Sequence, residues 1–122
     1  MLVAAGYQVT GVDYSTTALA QARQRTTTAR FHLGAVPHAL PALIASQRPT
    51  AAVACELLEH ITEDLAVLDL LRAHSIPLVA TLPAFDDAGH VRYFTHPSRI
   101  RARYGVEPTP IGPHHWGIVV RP

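Results

Sequence analysis

AAVACELLEHI, from Ala51 to Ile61, sets a run of small apolar residues directly against an acidic, histidine-bearing segment. Ala51 to Cys55 has the pattern of a strand buried on both faces of a parallel sheet. In such a sheet the ligand crevice lies at the strands' carboxyl ends, which is where Glu56, Glu59 and His60 fall. Downstream, Thr62 is expected as an N-cap, with Glu63 and Asp64 in the positive first turn. Leu65, Leu68 and Leu71, with Val67, then make an apolar helical stripe, and Arg72 and His74 stand near its negative end.

Outward from that stretch, strands and helices alternate. Tyr7 to Asp13 reads as a strand. Ser15 is the expected N-cap of a helix from Thr16 to Arg25, with Ala18, Leu19 and Ala22 on one face. Arg30 to Val36 is a second strand. Pro37 and Pro41 confine the next segment to a turn or short helix through Leu43 and Ile44. Pro77 to Pro83 is a further buried strand, with a loop from Ala84 to His90 after it. A short helix around Ser98 to Tyr104 and a last strand from Gly117 to Val120 complete the chain. Four short strands separated by helices predict an α/β fold with a doubly wound, mainly parallel sheet in a single domain. Its carboxyl edge would carry Asp13, Val36, Cys55, Glu56 and Pro83.

Composition narrows the chemistry. The chain has 122 residues, 48% hydrophobic and 16% charged, enough for one packed core. All ten basic residues are arginine, so Schiff-base and P-loop lysine chemistry are excluded. The net charge of +1 supplies no general attraction to nucleic acid or membrane. One cysteine, Cys55, precludes an internal disulfide and fits a reducing compartment. With no apolar run near the roughly 20 residues of a membrane span and no signal-peptide pattern, a cytoplasmic domain is expected. No two glycines are separated by one residue, so no G-x-G turn exists. Counting back roughly 20 residues from Asp13 puts such a turn before Met1. Met1 to Ala5 is then expected as the tail of a first helix with Gly6 as its C′ residue, the first strand and glycine-rich turn lacking.

GYQVTGVDYS (Gly6 to Ser15) and AAVACELLEHI resemble two stretches of class I S-adenosylmethionine-dependent methyltransferases. LVATLPAFDD (Leu78 to Asp87) suits the same family, and the resemblance spans roughly Met1 to Phe94 in a Rossmann-like order. It implies methyl transfer from S-adenosylmethionine to an oxygen, nitrogen or carbon of a small-molecule acceptor. It also implies cofactor binding at Asp13 and Tyr14, with Asp13 accepting the ribose hydroxyls. Two features depart from the family: the absent glycine-rich loop, and Ala35 where many members carry an acid near the adenine. The chain is therefore expected to bind S-adenosylmethionine weakly or not at all.

Glu56, Glu59 and His60 would share one face if residues 56–60 formed a helical turn. Two carboxylates and an imidazole suit a divalent cation, and oxygen ligands favour Mg²⁺ or manganese over zinc. Ubiquinone-type O-methyltransferases and small-RNA 3′-end 2′-O-methyltransferases are similar here and use the segment for a metal. The other reading is metal-free, with His60 lining the pocket and Glu59 orienting it. His60 is also the candidate catalytic base. His90 could add a ligand or base from across the cleft, and Phe85, Tyr93, Phe94 and Trp116 could wall an acceptor pocket. Asp86 and Asp87 read as turn caps. Arg92, Arg99, Arg101 and Arg103, with aromatics between, could hold an anionic acceptor or RNA backbone, or form a solvated helix face. His114 and His115, adjacent and so on opposite faces of a strand, cannot readily share a metal. Two other classes stay open: a non-catalytic remnant that pairs with another chain as an interaction module or oligomer, and a nicotinamide-binding domain.

Overall fold

A computed structural model describes residues 2–122. The chain divides into two compact units, Met1–Arg48 and Pro49–Pro122. The architecture is mixed α/β, with one sheet of two strands and one of four.

The first unit opens on a single 3₁₀ turn, Val3–Ala5. Gly6 ends it at φ 87, with its N–H donating to the Val3 carbonyl, which is the expected left-handed cap. Met1, the start of the expected helix tail, lies outside the described residues. β1 (Thr10–Asp13) pairs in parallel with β2 (Arg30–Leu33), Thr10 opposite Arg30 and Asp13 opposite Leu33. Between them α1 (Thr16–Arg25) has the expected boundaries. Its Ser15 hydroxyl accepts from the Ala18 N–H at 3.1 Å, closing one orphan donor of the first turn. Leu19 is the residue α1 buries. α2 (Leu40–Gln47) carries Pro41 in its first turn, where a missing N–H costs nothing, and buries Ile44.

The second unit holds β3 (Ala52–Ala54), α3 (Asp64–Ala73), β4 (Leu78–Pro83), α4 (Pro97–Tyr104), β5 (Thr109–Ile111) and β6 (His115–Val120). The spatial order is β3-β4-β6-β5. β3 and β4 are parallel, whereas β6 runs antiparallel to both β4 and β5. The expectation of a mainly parallel sheet thus holds for β1–β2 and β3–β4 and gives way at the carboxyl-terminal hairpin. β5 lies outside the expected elements, and Pro110 sits at its centre. As the edge of the sheet, it can spare that N–H.

One face of this sheet is core. Leu78, Ala80, Leu82, Ile118 and Val120 are each at most 4% exposed, together with Val67, Leu68 and Leu71 of α3 and Ile100 and Tyr104 of α4. Each fully buried leucine or isoleucine contributes about 2 kcal/mol. The other face is open: Val53, Val79 and Val119 stand in register across three strands and remain about half exposed. β3 and β4 are therefore one-sided strands, not strands buried on both faces as their apolar runs suggested.

The α3 stripe holds at Val67, Leu68 and Leu71 and fails at Leu65. Its buried residues are Asp64, Val67, Leu68 and Leu71, an i, i+3, i+4, i+7 set, while Leu65 is 40% exposed. Glu63, not Thr62, is the N-cap residue, and it makes no side-chain cap bond.

Candidate metal centre

β3 ends at Ala54, and the chain turns sharply at Glu56, whose φ of 51 is left-handed. That conformation, uncommon for a residue with a Cβ, breaks any helical turn before it can form. Glu56, Glu59 and His60 consequently do not line up on one face as the spacing suggested. The Glu56 carboxylate accepts from the Thr81 hydroxyl at 2.9 Å, and Thr81 Oγ1 accepts from the Glu56 N–H at 3.2 Å. Its second oxygen lies 3.6 Å from His115 Nε2.

Glu59, His60 and His90 come together instead. Each offers one ligand atom, and these atoms all lie within 4.8 Å of one another. Glu59 is fully buried, and neither of its carboxylate oxygens has a hydrogen-bond partner. His90 Nδ1 is likewise buried and unpartnered. Burial pushes the Glu59 carboxyl above the usual carboxylate range, and the nearby Glu56 charge adds to the rise. An unsatisfied buried carboxylate costs free energy that a cation or a proton would offset.

The two imidazoles are set up differently. His60 Nδ1 lies 3.0 Å from the Gly89 carbonyl, an acceptor, so Nδ1 is the donor and Nε2 is the nitrogen that could ligate. That Nε2 stands 3.9 Å from Glu59 Oε1. Gly89 adopts φ 87, so its backbone can present the carbonyl at a turn that a side chain would strain. The His60 and His90 rings meet edge-on with centroids 4.9 Å apart. Two imidazole nitrogens and one carboxylate are a donor set for a borderline divalent cation.

The loop that carries His90 is tied to the Glu59 turn. The Val91 N–H donates to the Glu59 carbonyl at 2.8 Å. Arg92 donates to the Leu58 carbonyl, to that of Ile61 at 2.5 Å and to that of Thr62 at 3.3 Å. Behind this turn lies a buried ion network. Asp64 receives a bidentate Arg103 at 2.6 and 2.7 Å, the Tyr104 hydroxyl at 2.8 Å, and the Arg92 charge at 3.3 Å. Burial alone would raise the Asp64 carboxyl, but the Arg103 and Tyr104 hydrogen bonds and the Arg92 charge hold it below the usual range. Burial and the Asp64 hydrogen bond push the Tyr104 phenol up.

Arg92 and Arg103, read from sequence as part of a basic surface stretch, are thus spent on an internal carboxylate. Arg99 lines a hollow of about 510 Å³ with Leu65 and Tyr93. Phe94 is core, its carbonyl accepting from the Trp116 indole at 2.7 Å. Phe85 is 38% exposed, with the His114 and His115 rings edge-on to it at 6.3 and 5.6 Å. His114 precedes β6, so strand alternation does not send it to the opposite face from His115. Asp87 caps its own turn, its carboxylate accepting from the Ala88 N–H at 2.7 Å. Cys55 is exposed, not a buried core residue.

Asp13 and Tyr14 belong to the first unit. Asp13 Oδ1 accepts from the Ser15 N–H at 2.7 Å, and Tyr14 is 80% exposed. Asp13 stands at the carboxyl end of β1, a parallel strand.

No protein-family model matches the chain, and no curated protein or solved structure gives a match. No helix among the described residues is long and apolar enough to cross a membrane.

Proposed function

We propose that the second unit holds a divalent cation at Glu59, His60 and His90, and that the protein serves S-adenosylmethionine-dependent methyl transfer to an acceptor hydroxyl on a Rossmann-like fold. The observation that carries the cation is the buried, unpartnered Glu59 carboxylate beside two imidazoles that each offer a nitrogen, while methyl transfer rests on the resemblance of residues 6–15 and 51–61 alone. Two nitrogen donors shift the preferred ion from Mg²⁺ toward Mn²⁺, Co²⁺ or Zn²⁺, because imidazole binds these more strongly.

When bound, the cation would polarise the acceptor oxygen and S-adenosylmethionine would supply an already activated methyl group. The chain's own residues then do three things. Glu59 and His90 hold charge and geometry from within a buried wall. His60, fixed through Gly89, keeps Nε2 aimed at the centre and is placed to accept the hydroxyl proton where no cation is bound. In the first unit, and independently of the cation, Asp13 at the end of β1 would hold a ribose.

The test is Co²⁺ titration of the full chain with visible absorption as the readout and Glu59→Gln as control. Appearance of d–d bands in the parent and their loss in the variant are expected. A parent chain without such bands overturns the cation. Methyl transfer is tested separately, with tritiated S-adenosylmethionine and hydroxyl acceptors, with and without chelator.

A second reading, a non-catalytic interaction module, draws on the open valine row across β3, β4 and β6. It is favoured if sedimentation finds an oligomer while Co²⁺ does not bind.

A further inference from the structure

The three ligand groups come from two connecting segments. Glu59 and His60 lie in the turn between β3 and α3, and His90 in the loop between β4 and α4. Neither segment is regular secondary structure, so the ligand distances depend on whatever joins them. We infer that Arg92 is the positioning residue that locks the His90 loop onto the Glu59–His60 turn and so keeps the three ligands on one centre. This rests on the cation reading of that site.

The backbone supports the inference carbonyl by carbonyl. The carbonyls of Leu58, Ile61 and Thr62 all accept from the Arg92 guanidinium, and that of Glu59 accepts from the Val91 N–H. Residues 91 and 92 thereby satisfy the acceptors on both sides of His60. The same loop supplies the Gly89 carbonyl that sets the His60 tautomer. A planar fork of five donors can reach several carbonyls at once, which a single ammonium cannot do in one fixed geometry. The Arg92 side chain is 14% exposed, and its charge is balanced by fully buried Asp64 at 3.3 Å. Asp64 is anchored independently by Arg103 and Tyr104 from α4.

Arg103 supplies the control. It shares Asp64 with Arg92, and its own hydrogen bonds go to that carboxylate and not to the carbonyls of residues 58–62. Full-length Arg92→Ala and Arg103→Ala chains would be titrated with Co²⁺ at a temperature where circular dichroism finds both folded. Arg92→Ala is expected to bind Co²⁺ at least about tenfold more weakly, with an altered d–d spectrum, as loss of an outer-shell support does. Arg103→Ala is expected to keep both affinity and spectrum despite its own loss of stability. If Arg92→Ala does not fold, Arg92→Lys keeps the charge beside Asp64 and should weaken Co²⁺ binding in the same direction. Parental affinity and spectrum in the folded Arg92 variant, or equal loss in Arg103→Ala, overturn the positioning role while leaving the cation site standing. Absence of Co²⁺ binding in the parent removes the site itself, and with it this inference.

Discussion

Thr81 and Glu56 clasp each other across β4 and the end of β3: the Thr81 hydroxyl donates to the Glu56 carboxylate at 2.9 Å while accepting from the Glu56 N–H at 3.2 Å. The clasp holds a left-handed residue in place and takes one carboxylate oxygen away from the neighbouring ligand cluster. Thr81→Val, nearly the same shape without the hydroxyl, should lower stability by about 1 kcal/mol, read from urea denaturation of the full chain.

Glu59 and Glu56 should separate in their effect on the cation. Glu59→Gln removes a ligand and is expected to abolish thermal stabilisation by Mn²⁺. Glu56→Gln removes only a nearby charge and should weaken binding less, by about tenfold at most, since an exposed charge is partly screened. In the parent chain, Mn²⁺ at a hundredfold excess over its Kd should add about 2.7 kcal/mol, measured as a rise in Tm.

Asp64 should govern the acid limb of stability. Its folded pKa is depressed, so its contribution is fully present above the ordinary aspartate value of about 3.9 and fades as pH falls through the lower folded value. Asp64→Asn should cost about 3 kcal/mol at neutral pH, because it leaves Arg92 and Arg103 without their buried counter-charge. Its stability should also vary less with pH below about 4 than that of the parent.

Ser15 tests the first unit independently. Ser15→Ala deletes the cap bond to the Ala18 N–H and should destabilise that unit by about 1 kcal/mol, with the cation response of the second unit unchanged. Amide hydrogen exchange in α1 is the direct measurement.

The local elements were legible because their signals are local. Ser15 before an alanine-rich stretch marks α1 to the residue, and the apolar periodicity around Leu68 marks α3. Val67, Leu68 and Leu71 are buried as the stripe predicts, whereas Leu65 is exposed and Asp64, placed by the sequence in the positive first turn, is an internal counter-ion. Only knowing that Arg103 and Tyr104, some 40 residues away, fold back onto it makes that burial intelligible.

The candidate centre divides in the same way. Chain order alone put Glu59 and His60 just past a strand's carboxyl end, because strand and turn patterns repeat over a few residues. His90 was also named from the sequence, but only the folded chain brings it beside Glu59 and His60 and leaves Glu56 out of that cluster. His90 joins through a loop tied by Arg92 and Val91, and Glu56 leaves through a left-handed turn clasped by Thr81. Both outcomes depend on hydrogen bonds between segments 25 to 34 positions apart, and no periodicity within either segment encodes them.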